Sequence, residues 1–173
     1  IGAAPVLASR IGYVGELGFE LHIPSEFAIH VYKELWQAGQ EMEIANVGYR
    51  AIESLRMEKG YLYWSGDISP DYSPLEAGLG FRVHFDLKGE FLGRQALESQ
   101  MKNGLDRKLF TFISEQFLPL TGGETILESG RVVSLATSVA YGFTVKKTII
   151  RGYLDRLYWG KTEFTVEVFG QRY

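Results

Sequence analysis

The chain contains no cysteine in 173 residues. That excludes disulfides, thiolate metal ligands and a cysteine nucleophile, and it favours a reducing compartment over an oxidising one. It has only three histidines, His22, His30 and His84, each isolated from the others, so the residues predict no metal site. No apolar run approaches the roughly 20 residues that a membrane helix requires. An excess of one charge is lacking too. Eighteen Lys and Arg against 21 Asp and Glu leave a net charge of −3, so no broad positive field attracts nucleic acid or an anionic membrane. Gly-x-Ser-x-Gly, Walker and Gly-x-Gly-x-x-Gly signatures are all missing, so the commonest hydrolase and nucleotide-binding motifs do not apply. No leader peptide is recognisable and the first residue is Ile1, so the expectation is a mature piece or a fragment.

What is present is glycine and aromatic side chains. Twenty Gly, 11 Phe, 10 Tyr and 3 Trp predict a strand-rich protein with many tight turns. The length suits one large domain or two small ones. Residues 10–23 read as a half-buried strand. Leu17, Phe19, Leu21 and Ile23 fall on one side; Glu16, Gly18, Glu20 and His22 fall on the other. The carboxylate side is either a solvated face or the lining of a ligand cavity, and periodicity leaves both open.

Helices follow. Pro24-Ser25 starts one with Phe27, Val31, Leu35 and Ala38 on its apolar face, ending at Gly39. Asn46 caps a second, with Val47, Ala51 and Leu55 along its stripe and Lys59-Gly60 as its stop. Arg56 lies beside that stripe, and an intrahelical pair with Glu53 competes with any functional role. Residues 61–80 are loop-rich, broken by Pro70 and Pro74. Tyr61, Tyr63 and Trp64 within it are either packing anchors or a surface that stacks on a flat ligand. A short strand is expected at 80–85 and a third helix from Phe91 to about Gly104. Strands are then expected near 108–114, 124–128, 131–137, 148–154 and 163–169, with a hairpin turn at Glu128-Ser129-Gly130-Arg131. Lys146, Lys147 and Arg151 read as a small solvated basic patch. The pattern predicts an α+β chain ending in a small antiparallel barrel or sandwich.

Several motifs together carry a family resemblance. They are Arg10-Ile-Gly-Tyr-Val-Gly-Glu-Leu-Gly-Phe-Glu-Leu-His-Ile-Pro24, Ser54-Leu-Arg-Met-Glu-Lys-Gly60 with Trp64-Ser-Gly-Asp67, Ser73-Pro-Leu-Glu-Ala-Gly-Leu79, Lys88-Gly-Glu-Phe-Leu-Gly-Arg94 and Thr137-Ser-Val-Ala-Tyr-Gly-Phe143. In this order they resemble the glycine-cleavage T-protein (aminomethyltransferase) superfamily. The Glu-Lys-Gly and Leu-Glu-Ala-Gly-Leu forms are most similar to the folate-binding part of sarcosine and dimethylglycine dehydrogenases.

The resemblance implies part of a T-protein-like α/β domain followed by an antiparallel Greek-key β-barrel. It assigns residues 1–88 to the folate-binding domain, 89–107 to a connecting helix and 108–173 to the barrel. It implies tetrahydrofolate as cofactor, an amine as co-substrate, and FAD only in a domain upstream. It implies no nucleic-acid or membrane partner, leaves self-association open, and suits bacterial cytoplasm or the mitochondrial matrix. Glu20 matches the family's pterin-clamping carboxylate, with Glu16 on the same face, Tyr13 as ring neighbour, and Arg56 to hold a carboxylate or orient Glu20. A carboxylate suits a pterin edge because it accepts from an N–H and an NH₂ side by side.

No catalytic residue is expected in this chain. The family's catalytic Asp belongs to an N-terminal region, and its closing segment, with a further Arg, would follow Tyr173. Ile52 stands where T-proteins carry Arg. The expectation is therefore the C-terminal fragment of a tetrahydrofolate-dependent one-carbon transferase module. A non-catalytic regulatory or scaffold relative and a folate-dependent demethylase are the alternatives.

Overall fold

The structure is a computed structural model that describes residues 1–87 and 89–173. Lys88, where the expected first domain ends and one family motif begins, lies outside the described residues. The chain divides into two compact units, Ile1–Tyr61 and Leu62–Tyr173.

The first unit pairs β1 (Leu7–Ser9) with β2 (Glu20–His22) in antiparallel register, Ser9 opposite Glu20 and Leu7 opposite His22. Helix α1 (Ala28–Gly39) follows a 3₁₀ turn at Ser25–Phe27. Helix α2 (Tyr49–Glu58) starts three residues later than Asn46, which instead donates its amide to the Tyr32 hydroxyl at 2.9 Å. The predicted stop holds. Gly60 is left-handed, its amide donates to Met57 O and that of Tyr61 to Arg56 O, which closes the helix and satisfies two end carbonyls. The expected stripes are only partly covered. Val31 is fully buried on α1, whereas Leu35 and Ala38 are exposed. On α2 the buried residues are Ser54, Arg56 and Met57, and Val47 lies exposed ahead of the helix.

In the second unit, residues 80–82 form a 3₁₀ turn where a strand was expected. The left-handed Gly78 and the bond from Arg82 N to Leu79 O bend the chain there. Ser73 and Glu76 cap each other reciprocally: the Ser73 amide donates to the Glu76 carboxylate, and the Glu76 amide donates to the Ser73 hydroxyl. Helix α3 (Arg94–Asn103) ends at Gly104, which has φ of +83°. Seven strands follow: β3 (Arg107–Ser114), β4 (Thr125–Glu128), β5 (Arg131–Leu135), β6 (Ser138–Gly142), β7 (Lys147–Asp155), β8 (Thr165–Val168) and β9 (Gln171–Arg172). The β4–β5 hairpin turns at Ser129 and Gly130, both with positive φ, which matches the right-handed strand twist.

The antiparallel strands expected over 108–173 are present. The strands form two antiparallel sheets, β3-β7-β6 and β5-β4-β8-β9, and among the described residues no ladder closes them into a ring. The chain crosses from one sheet to the other at Ala136-Thr137. The Ala136 amide donates to Glu124 O beside the second sheet, and the Thr137 amide donates to Arg151 O on β7. Among the described residues no ladder joins the other two free edges, β3 and β9. A cavity of about 150 Å³ lies there, lined by Phe112, Leu118, Ile126, Phe164 and Tyr173 among others. Leu118, Ile126, Ala136, Ile150, Val166 and Val168 form the apolar core between the sheets. Gly152 lets the sheets approach: a Cβ there would lie 2.8 Å from Ile126 Cδ1 and 2.9 Å from Leu135 O.

Candidate functional site

The loop between Ser9 and Glu20 holds two of the four candidate residues, and β2 begins only at the third. A continuous strand from 10 to 23 does not form, because Gly12, Gly15 and Gly18 interrupt it. Gly15 has φ of +74°, and a Cβ there would overlap the Lys59 side chain. The loop therefore folds against Lys59, whose ammonium lies 3.1 Å from the Glu16 carboxylate. Both groups face solvent, so the pair fixes position more than it adds stability. Leu17 and Phe19 are 75% and 58% exposed, which corrects the expectation that they pack inward.

Arg10, Ile11, Gly12, Glu16, Leu17 and Gly18 surround a depression of about 290 Å³. Glu16 lines it. Glu20 does not: it sits at the start of β2, exposed, opposite Ser9. Among the described residues the Glu20 carboxylate makes no hydrogen bond or ion pair, so all its acceptor capacity is open. Tyr13 is half-buried, and its ring stacks on that of Tyr61 with centroids 6.2 Å apart.

Arg56 is 1% exposed. Its Nε and Nη2 donate to Glu53 Oε2 at 3.0 and 2.6 Å, and its Nη1 donates to Tyr61 O at 3.0 Å. The intrahelical pair with Glu53 that the spacing offered is formed. The three-residue spacing puts both side chains on one face of α2. Tyr61 thus links Arg56, through its carbonyl, to Tyr13, through its ring. Sequence reasoning missed Lys59 as the partner of Glu16. Its place in the Glu-Lys-Gly motif was the available signal.

A second polar cluster lies in the unit 62–173. Asp67 is fully buried and Arg151 is 3% exposed. Asp67 Oδ2 accepts from Arg151 Nη1 at 3.4 Å and from the Tyr63 amide at 2.9 Å; Oδ1 accepts from the Thr137 hydroxyl at 2.7 Å. Tyr153 donates its hydroxyl to Asp67 O at 2.8 Å and stacks on Tyr72 with centroids 3.7 Å apart. Burial pushes the Tyr153 phenol well above its ordinary value, and Tyr72, Asp67 and Glu76 add to the shift. Arg107 lies over the outer face of Tyr72 and pairs with Glu76 at 3.1 Å. Arg151 is therefore no part of a solvated basic patch. It sits mid-way along β7, where residues 148–154 are all buried. A lone Arg inside that apolar run was the signal.

Residues 1–87 match the model of the GCVT N-terminal domain, and residues 107–173 match that of the glycine cleavage T-protein C-terminal barrel domain. The chain belongs to the glycine cleavage T-protein family. It is 46% identical over 149 residues to mitochondrial sarcosine dehydrogenase of Mus musculus, covering 86% of this chain and 16% of that protein. It is 32% identical over 179 residues to the mitochondrial pyruvate dehydrogenase phosphatase regulatory subunit of Mus musculus, covering 93% of this chain and 20% of that protein. Among solved structures, the glycine cleavage system aminomethyltransferase T from Bartonella henselae superimposes with a TM-score of 0.82 at 27% identity, over 95% of this chain and 46% of that one. The chain thus spans about one sixth of the sarcosine dehydrogenase and one fifth of the regulatory subunit.

Proposed function

We propose that this chain is the folate-binding C-terminal portion of a longer one-carbon transferase, of the kind joined to N-methyl amine oxidation. The family assignment across residues 1–87 and 107–173 supports the fold of such a module. The sarcosine dehydrogenase similarity supports an amine as the carbon source. Tetrahydrofolate would supply the nitrogen that takes up a formaldehyde-level carbon. The donor set fits that cofactor. The open carboxylate of Glu20, at the start of β2, is an acceptor pair for a pterin edge, and Glu16 lines a depression on the loop before it. Tyr13 offers a ring from that loop. Arg56, held by Glu53, supports Tyr61 beneath Tyr13. No residue of this chain is proposed as catalytic, and a flavin domain, where one exists, would lie upstream. We place the module boundaries at 1–88, 89–107 and 108–173, and the protein in bacterial cytoplasm or the mitochondrial matrix.

The observation that carries the reading is the run of family motifs together with the unpaired Glu20 carboxylate. Calorimetric titration of 5-formyltetrahydrofolate tests it. The expected result is weaker than micromolar binding to this chain, weakened further in Glu20→Gln by roughly 1–3 kcal/mol, the scale of a charge-assisted bond. Equal affinity in the two proteins overturns the assignment of Glu20. A second reading, a non-catalytic regulatory subunit, is favoured by the similarity to the phosphatase regulatory subunit. Sequence upstream of residue 1 separates the two: it either carries the acid that steers protons or lacks it.

A further inference from the structure

Asparagine occurs at two positions, and their settings are opposite. Asn46 precedes the β-branched Val47, and its side-chain amide donates to the Tyr32 hydroxyl at 2.9 Å. Asn103 is the exposed last residue of α3 and precedes Gly104. Its side-chain NH₂ donates to Ser99 Oγ at 3.1 Å, a bond at the surface where water competes for it. Gly104 has φ of +83° and no Cβ to crowd its nitrogen. The amides that follow α1 and the other long helix of the first unit donate back to helix carbonyls, Gln40 N to Gln37 O and Lys59 N to Leu55 O. Among the described residues the Gly104 amide donates to none, so no backbone bond has to break before that nitrogen reacts. Arg156 stands beside it. A Cβ on Gly104 would lie 3.1 Å from Arg156 Nη1 and 3.5 Å from its Cζ, so the guanidinium occupies the space next to the glycine. Among the described residues that exposed side chain makes no hydrogen bond or ion pair, which leaves its charge uncommitted.

We propose that Asn103 is a self-modifying site, whose side-chain amide is lost through a cyclic imide formed with the Gly104 nitrogen. Hydroxide takes the Gly104 amide proton, and the nitrogen attacks Asn103 Cγ. The N–Cγ bond forms, the Cγ–Nδ2 bond breaks, and ammonia leaves with a proton from water. Water then opens the five-membered ring at either carbonyl, which leaves an aspartate or an isoaspartate. The net change converts one amide and one water into one carboxylic acid and one ammonia, with no oxidant or reductant. Negative charge builds first on the nitrogen and then on the oxygen of the tetrahedral intermediate. Both arise beside Arg156, whose positive charge lowers their energy. The product carboxylate meets the same guanidinium, yet it stands at the C-terminal end of α3, where the helix dipole disfavours an anion. An isoaspartate also adds one backbone carbon between α3 and β3. No ligand takes part, so the inference stands apart from the folate reading.

Ageing the full 173-residue chain in mildly alkaline buffer, followed by peptide mass spectrometry, tests this. The expected result is a share of the Asn103 peptide that grows with time, heavier by the difference between an amide and an acid. Part of that share is a substrate for an isoaspartate-specific methyltransferase. The Asn46 peptide keeps its amide over the same period and is the internal control. Gly104→Ala brings the Asn103 rate down toward that of Asn46, because the added methyl crowds the nitrogen. Arg156→Gln, a change at the surface that leaves the Asn103-Gly104 pair intact, slows the reaction about threefold, the scale of one exposed charge. It also covers the case in which Gly104→Ala fails to fold. An Asn103 that keeps its amide as long as Asn46 does overturns the inference. Conversion of Asn103 at the parent rate in Arg156→Gln overturns the part assigned to the guanidinium.

Discussion

Tyr153 couples a phenol to the inside of the second unit through its bond to Asp67 O. Burial raises its pKa above the ordinary value of 10, so the unfolded chain loses that proton first as pH rises. The contribution to stability is therefore fully present below about pH 10 and is lost as pH climbs toward the raised folded value. In Tyr153→Phe the hydroxyl bond to Asp67 O disappears, and stability at neutral pH should fall by about 1 kcal/mol. The same variant should lose stability less steeply between about pH 10 and 11, followed by urea melts at each pH. Equal alkaline slopes would contradict the burial of this phenol. None of this was legible in the sequence, where Tyr153 is one tyrosine of ten. Its partners lie about 80 residues away in Asp67 and Tyr72. Arg56 was half legible: the helical spacing to Glu53 was visible, but the Tyr61 carbonyl as its other acceptor was not.

At the level of elements, hydrophobic runs and turn residues located most of the secondary structure. Helices ended at Gly60 and Gly104, both at positive φ, which glycine adopts without strain. The hairpin at Glu128–Arg131 and strands near 108–114, 124–128 and 148–154 read correctly because each joins apolar, β-branched residues to a marked turn. β6 was missed: Ser-Val-Ala-Tyr-Gly lacks a clean period of two, and its place is set by pairing with β7. The strand expected over 10–23 failed for the opposite reason. Its period was good, yet glycine at 12, 15 and 18 and a partner only at Leu7–Ser9 leave just Glu20–His22 in the ladder. Gly152 shows what the continuous buried run of β7 conceals. Gly152→Ala should destabilise by about 1–3 kcal/mol, because Ile126, Ser134 and Leu135 already occupy the space. Gly160→Ala, with nothing within 4 Å of its added methyl, should stay within about 0.5 kcal/mol of the parent. Urea midpoints for the two variants check the pair, and equal midpoints would mean that the sheets do not meet at Gly152.

For the whole molecule, family and α+β class were readable from motif order, whereas the closure of the barrel was not. Closure depends on whether the free edges β3 and β9 meet, and the residues of neither strand encode that they do not. The candidate site divides the same way. Glu16, Glu20 and Tyr13 could be named from one stretch of sequence, but their surroundings depend on Lys59 and Tyr61, brought in by α2 and its stop. The central claim is that residues 10–23 meet the pterin of a folate. Amide chemical-shift mapping during titration with 5-formyltetrahydrofolate tests it most directly. The account predicts the largest perturbations at Glu16 and Glu20 and their immediate neighbours. Saturable binding that leaves those amides unmoved would contradict it.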